Sequence, residues 1–172
     1  MRRLLMMLAS ALAFASLAFA SPVDDAVARG VKSLAAKDIV AAMEAFTEAL
    51  EADPAHAVAA YERGRILLTI GEPENAVADF TTAVLGNPNY GRAYAGRAQA
   101  KLLLKDPQSA IADFDMAIRV APEDYEVHLV RATFRLKIGN LAGAKLDLQN
   151  AKAVADGATA KVIQSYLDKL GP

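Results

Sequence analysis

The chain has no cysteine and no tryptophan, and only 6% of its residues are aromatic. Without cysteine there is no disulfide, no thiolate zinc site and no lipid-bearing N-terminal cysteine. There is no basic block either. The formal charge is −1, and it becomes −3 without the first 20 residues, which hold Arg2 and Arg3 and no acid. A mildly acidic chain of this kind lacks the electrostatic footprint of a nucleic-acid binder. No glycine-rich loop is present to cradle phosphate, and no nucleophile stands beside a base. The two histidines, His56 and His128, fall at different places in the chain's pattern and have no ligand partner at helical spacing. The expectation is therefore no enzyme, no metal and no cofactor.

What is abundant is alanine and leucine, the strongest helix formers. They are arranged with a period. The stretch Ala76-Val77-Ala78-Asp79-Phe80 through Ala83 to Pro88 returns one period later as Ala110-Ile111-Ala112-Asp113-Phe114 through Ala117 to Pro122. It is also present one period earlier, from Ala42 through Phe46 and Ala49 to Pro54. A fixed period marks an array of one supersecondary unit. Four units start at about Val23, Ala57, Gly91 and Tyr125, and each reads as two helices. The first helix carries an arginine and a small residue: Arg29-Gly30, Arg63-Gly64, Arg97-Ala98, Arg131-Ala132. The second carries Ala42/Phe46/Ala49, Ala76/Phe80/Ala83, Ala110/Phe114/Ala117 or Ala144/Leu148/Ala151. Spacings of four and three set these on one helix face, where small residues admit a close partner helix and the large one fills the gap. Asp53-Pro54 and Asn87-Pro88 read as N-caps opening the next unit, with Pro122 in the same place. Gly71 and Gly139 suit left-handed stops between paired helices, and Asp106 and Asn140 suit N-caps.

These columns resemble the tetratricopeptide repeat family, over residues 23 to about 156. The resemblance implies an all-α, right-handed superhelix, an α-solenoid of four helix-turn-helix units. It implies first helices lining a concave side where extended peptides or helices of other proteins bind. Residues projecting there would be Val27, Val31, Tyr61, Arg65, Arg92, Ala95, Gln99, Leu129 and Thr133. Of these, Tyr61, Arg65, Arg92, Gln99, Leu129 and Thr133 are the expected partner-binding set. Tyr61 and Arg65, four apart, would form an apolar platform beside a donor fork; the alternative is that Tyr61 only packs between first helices. Some family members hold a C-terminal carboxylate with a lysine from this face. Here Val27, Tyr61, Ala95 and Leu129 occupy that column.

Lys145 and Lys152 replace the apolar residues that earlier units carry at Met43/Leu50, Val77/Val84 and Ile111/Ile118, and that can face a following unit. A last helix over about 158–170, with Val162, Ile163, Tyr166, Leu167 and Leu170 on one face, would cap the open end. The alternative is a helix that docks on a partner. Arg63, Arg97 and Arg131 precede Asp79, Asp113 and Asp147 at one constant spacing. They are read as structural ion pairs, joining the helices of a unit or reaching the unit before; the competing reading is an anion-binding ladder.

Met1-Arg2-Arg3, an apolar run from Leu4 to Ala20 and the ending Ala18-Phe19-Ala20 have the order of a secretory signal peptide cut between Ala20 and Ser21. An uncleaved membrane anchor is the alternative, for a run of about 17 residues lies at the short limit for a span. The signal points to a periplasmic or secreted bacterial protein, with no stable membrane insertion once cut. The functional expectation is a non-enzymatic scaffold or adaptor of the cell envelope, with a protein or peptide in its groove and an oligomeric state that the residues leave open. The alternative is a regulatory subunit binding a small molecule or cell-wall fragment.

Overall fold

The computed structural model describes residues 21–171, and the expected signal segment and its cut after Ala20 lie outside them. The described residues form α1 (Pro22–Ala35), α2 (Ile39–Ala52), α3 (Ala57–Ile70), α4 (Pro73–Gly86), α5 (Gly91–Leu103), α6 (Pro107–Val120), α7 (Tyr125–Lys137), α8 (Leu141–Val154) and α9 (Gly157–Lys169). Helices pair in order, α1 with α2 through α7 with α8, and each pair stacks on the next to give an all-α solenoid of helix-turn-helix units. Short connections make each pair an antiparallel hairpin.

The small columns let the helices close on each other. Ala42, Ala49, Ala76, Ala83, Ala110, Ala117, Ala144 and Ala151 are all fully buried, as are Phe46 and Phe80. Phe80 is held from two sides. A Cβ on Gly64 of its own unit would come within 3.0 Å of the ring, and one on Gly96 of the next unit within 2.6 Å. One core cluster runs through the first three units, from Ala26 to Ala100. Beyond it the core divides into smaller clusters around Phe114 and Phe134, around Val127, and around Ile163.

The turns inside units follow two chemistries. Gly71 (φ 85°) and Gly139 (φ 75°) take the left-handed conformation, and Lys37 (φ 61°) and Lys105 (φ 62°) take it in units one and three, where Cβ opposes it. Asp38, Asp106 and Asn140 cap the second helices by accepting from Ala41, Ser109 and Gly143 amides.

The turns between units correct the expected caps. Asp53 and Asn87 end α2 and α4 instead of opening α3 and α5. Their side chains accept from the amides two residues on, Ala55 and Asn89, which makes each an Asx turn around the proline. A residue before proline is held extended, so the helix restarts only after the turn. The real N-caps are His56, Tyr90 and, in place of Ala121-Pro122, Asp124.

Two packing expectations are also corrected. Ile111 is 43% exposed instead of covered by the next unit. Its counterparts Met43 and Val77 pack on the long core, which the Phe114–Phe134 stack interrupts at α7. On α9 the packed stripe is Ile163, Leu167 and Leu170, set against Leu148, Ala151 and Ala132, while Val162 and Tyr166 are each 57% exposed. The connection before α9 is Ala155-Asp156 alone, shorter than those between units, and it rotates the helix so that the stripe at i, i+4, i+7 faces inward. Lys152 then bonds Gln164 of α9 across the junction at 2.6 Å.

Gly96→Ala should lower unfolding stability by about 1–3 kcal/mol, because Phe80 has no free side to move toward. Lys105→Gly should raise it by about 0.5–1 kcal/mol, since relief of the left-handed backbone outweighs the entropy that glycine loses on folding. Urea denaturation of both variants checks these signs, and a Gly96→Ala midpoint equal to wild type would rule out the tight approach.

Candidate binding groove

Successive first helices α3, α5 and α7 lie side by side, and their common face holds two connected hollows. The first, about 360 Å³, is lined by Tyr61, Glu62, Arg65, Tyr90, Arg92, Ala95, Gln99 and Glu126, among others. The second, about 520 Å³, is lined by Leu102, Leu103, Phe134 and Ile138 with Thr69, Gln99, Thr133 and Lys137. Leu68, Gln99 and Val130 belong to both, so they form one trough across three units.

Of the expected set, Tyr61, Arg65, Arg92 and Gln99 meet in the first hollow, and Gln99 and Thr133 in the second. Tyr61 is 9% exposed. Its ring lies 4.7 Å from that of Tyr90 and 6.0 Å from that of Phe80, centre to centre. Arg65 extends over the Tyr61 ring at 5.7 Å and pairs with Glu62 at 2.8 Å. Platform and packing are thus the same residue: Tyr61 packs its body and lines the trough with its edge. Burial pushes the phenols of Tyr61 and Tyr90 above their ordinary value of 10.0, so both remain protonated donors at neutral pH.

Arg92 is committed elsewhere. It bonds Asp124 through Nε and Nη2 and pairs with Glu126 at 3.0 Å. Asp124 is also the N-cap of α7, accepting from the Glu126 amide, so Arg92 ties α5 to the start of α7. Thr133 donates back to the Leu129 carbonyl at 2.9 Å. Leu129 lines neither hollow; it packs half-buried beside Ala132, Leu148 and Ile163. Its column faces the next first helix, and here that helix is α9.

Sequence reasoning missed Tyr90, Leu103, Phe134, Lys137 and Ile138. Tyr90 stands in the connection before α5, outside the first-helix columns. Phe134 had a signal: it replaces Lys32, Ile66 and Ala100 in its column.

The arginine column lies apart from the trough. Arg63 grips Asp79 through Nε and Nη2 at 2.7 Å each, and its Nη1 reaches Thr47 of the preceding unit at 3.3 Å. Arg97 repeats this with Asp113 and Thr81. Arg131 does so with Asp147 and Asp115. Each arginine therefore spans both helices of its unit and the second helix of the one before. The aspartates are buried, and Asp113 and Asp147 have second cations in Lys101 at 2.7 Å and Arg135 at 2.8 Å. Unit one has Ala45 in the aspartate column, and Arg29 pairs with exposed Glu48 instead. Both histidines are used locally. His56 Nδ1 accepts from the Ala59 amide, and buried His128 donates from Nε2 to the Pro122 carbonyl.

The helical hairpins have counterparts among known proteins. The sequence model of the tetratricopeptide repeat matches residues 28–90 and 61–125, more than half of the chain. The chain belongs to the tetratricopeptide repeat family. Its fold is similar to that of TTC0263, a thermophilic TPR protein of Thermus thermophilus, at TM-score 0.74 and 25% identity, covering 86% of this chain and 80% of that one. It is also similar to the second TPR domain of human RPAP3, solved with an HSP70 peptide, at TM-score 0.55 and 28% identity, covering 59% of this chain and 84% of that one. A third similar structure is the TPR2B domain of yeast Sti1 in its Hsp70 complex, at TM-score 0.56 and 27% identity, covering 59% and 82%. No curated protein matches the chain.

Arg63→Ala should cost about 3–5 kcal/mol, since it leaves Asp79 buried and unpaired. Arg97→Ala should cost less, because Lys101 still meets Asp113. Equal losses in denaturant titrations would contradict this ranking. The raised phenols have a pH consequence. The unfolded chain releases these protons near its ordinary phenol value while the folded chain keeps them, so stability should fall as pH rises through about 10. Tyr61→Phe should flatten the fall, as followed by melting temperature across the alkaline range.

Proposed function

We propose that this chain is a non-enzymatic interaction module, exported to the bacterial cell envelope, that binds a peptide or helix of another protein in the trough across α3, α5 and α7. The observation that carries this is the trough itself: a polar hollow joined through Leu68, Gln99 and Val130 to an apolar one, across three units, with Glu62, Arg65, Glu126, Thr133 and Lys137 along it. The second hollow has the composition common to cavities that bind ligands, apolar walls with a few placed polar groups. Family membership supports the reading, as do the similar domains of RPAP3 and Sti1, solved with an HSP70 peptide and in an Hsp70 complex. Stacked helices hold the trough in shape before binding, which lowers the ordering cost of association. Export rests on the order of residues 1–20 and Ser21 alone.

Arg65, Gln99 and Thr133 lie on the trough's surface and outside the core clusters, so substituting them leaves the core intact. The variant Arg65→Glu/Gln99→Arg/Thr133→Arg should keep the wild-type circular dichroism spectrum and lose at least about tenfold in affinity for a partner captured from a periplasmic extract. Titration calorimetry measures the loss. A partner held equally by both proteins would move the site off the trough. A melting temperature that rises with a metabolite mixture, with no protein captured, would favour the small-molecule alternative. Cell fractionation tests export: a cytoplasmic location would end the envelope reading.

A further inference from the structure

The trough has a polar end and an apolar end. Tyr61 is nine-tenths buried as a residue, but its hydroxyl is open to the trough and bonds to no other described residue. Around it two arginines face three carboxylates, with Glu62 on Arg65 and both Asp124 and Glu126 on Arg92, so no cation there is free. An anionic group entering there would lack a free cation, whereas an uncharged hydrogen-bonding group meets Tyr61 and the Gln99 amide without that cost. In the second hollow, Leu103 and Ile138 stand at the mouth, 59% and 57% exposed, over Phe134. Lys137 lines the same hollow and pairs with no described residue.

Lys137 belongs to the basic end of the array. Residues 21–56 hold seven acids and three bases, a net of −4, while residues 125–172 hold four acids and seven bases, a net of +3. The units between carry −2 (57–90) and 0 (91–124). Both hollows take residues from α3, α5 and α7, so they are offset along the helices, and it is Lys137 that draws an acidic part of a ligand toward the second hollow. Along α5 the first hollow extends from Arg92 to Gln99 and the second from Gln99 to Leu103. Their centres are about 8 Å apart at the helical rise, or roughly two to three residues of extended chain.

Resting on the peptide-binding reading above, we propose that the trough selects a segment of a partner protein with three features in order. These are an uncharged polar side chain (Ser, Thr, Asn or Gln) beside Tyr61, a large apolar side chain roughly two to three residues away against Leu103 and Ile138, and an acidic residue at Lys137. Both arginines of the first hollow are already paired, which leaves no cation there for a terminal carboxylate, so the segment does not end beside Tyr61.

The test is selection of a random dodecapeptide library, displayed on phage with the segment flanked on both sides, against the immobilised protein. Wild type should enrich the three-feature pattern. Lys137→Glu should keep the apolar residue and exchange the acid for lysine or arginine. Leu103→Asp/Ile138→Asp should lose the apolar enrichment while keeping the wild-type circular dichroism spectrum. Tyr61→Phe should weaken a synthetic peptide of the enriched sequence about fivefold, the effect of one hydrogen bond. Enriched peptides without the pattern, or bound equally by these variants, overturn this inference and leave peptide binding standing. A library that enriches nothing on any variant overturns both.

Discussion

The whole array depends on how closely two helix backbones approach at the small-residue columns. Where alanine or glycine stands on both sides, the helices meet and a single phenylalanine fills what remains. Phe80 lies between Gly64 and Gly96, and its ring touches both its own unit and the next. The same side chain thus closes a hairpin and sets the stacking of units. The trough follows from this, because its floor is the set of first helices held at that spacing. In a repeat array each unit contacts only its neighbours, so one spacing rule repeated is enough to shape a surface that runs over several units.

The arginine–aspartate pairs work beside that packing. A guanidinium has enough donors to hold a carboxylate with one edge and a hydroxyl or second carboxylate with another. Arg63, Arg97 and Arg131 use that capacity to bridge three helices each. Buried carboxylates add little net stability and are costly to leave alone. Their value here is registration: the pair forms only when the two helices of a unit and the preceding second helix lie at matching heights.

The seam between the third and fourth units differs from the earlier ones. Phe134 stands where Ala100 and Ile66 stood and stacks on Phe114 with ring centres 5.3 Å apart. The larger ring breaks the continuous core and leaves Ile111 and Ile138 partly uncovered. Arg92 compensates by fastening α5 to the N-cap of α7. The apolar hollow of the trough lies at this seam, so the binding surface and the interruption of the repeat share one cause. An array with identical units would have had a uniform face.

Periodicity carried the fold by itself. A column that is small, large, small at fixed spacing leaves only one way to bury those faces, so the hairpins, their order and the Phe80-type packing were legible without coordinates. The constant interval from each arginine to its aspartate was legible for the same reason. Proline turns were not: Asp53 and Asn87 carry a side chain that can cap a helix or close an Asx turn, and only the path of the chain after the proline decides between them. The trough was legible in part. First-helix columns pointed to Tyr61, Arg65 and Gln99, but Tyr90 enters from a connection, Leu129 is covered by α9, and the hollow under Leu103 and Ile138 exists because two units pack imperfectly. Columns describe what each unit does to its neighbour on average. Departures from the average depend on which side chains meet across one junction, and that is settled only when the units are stacked.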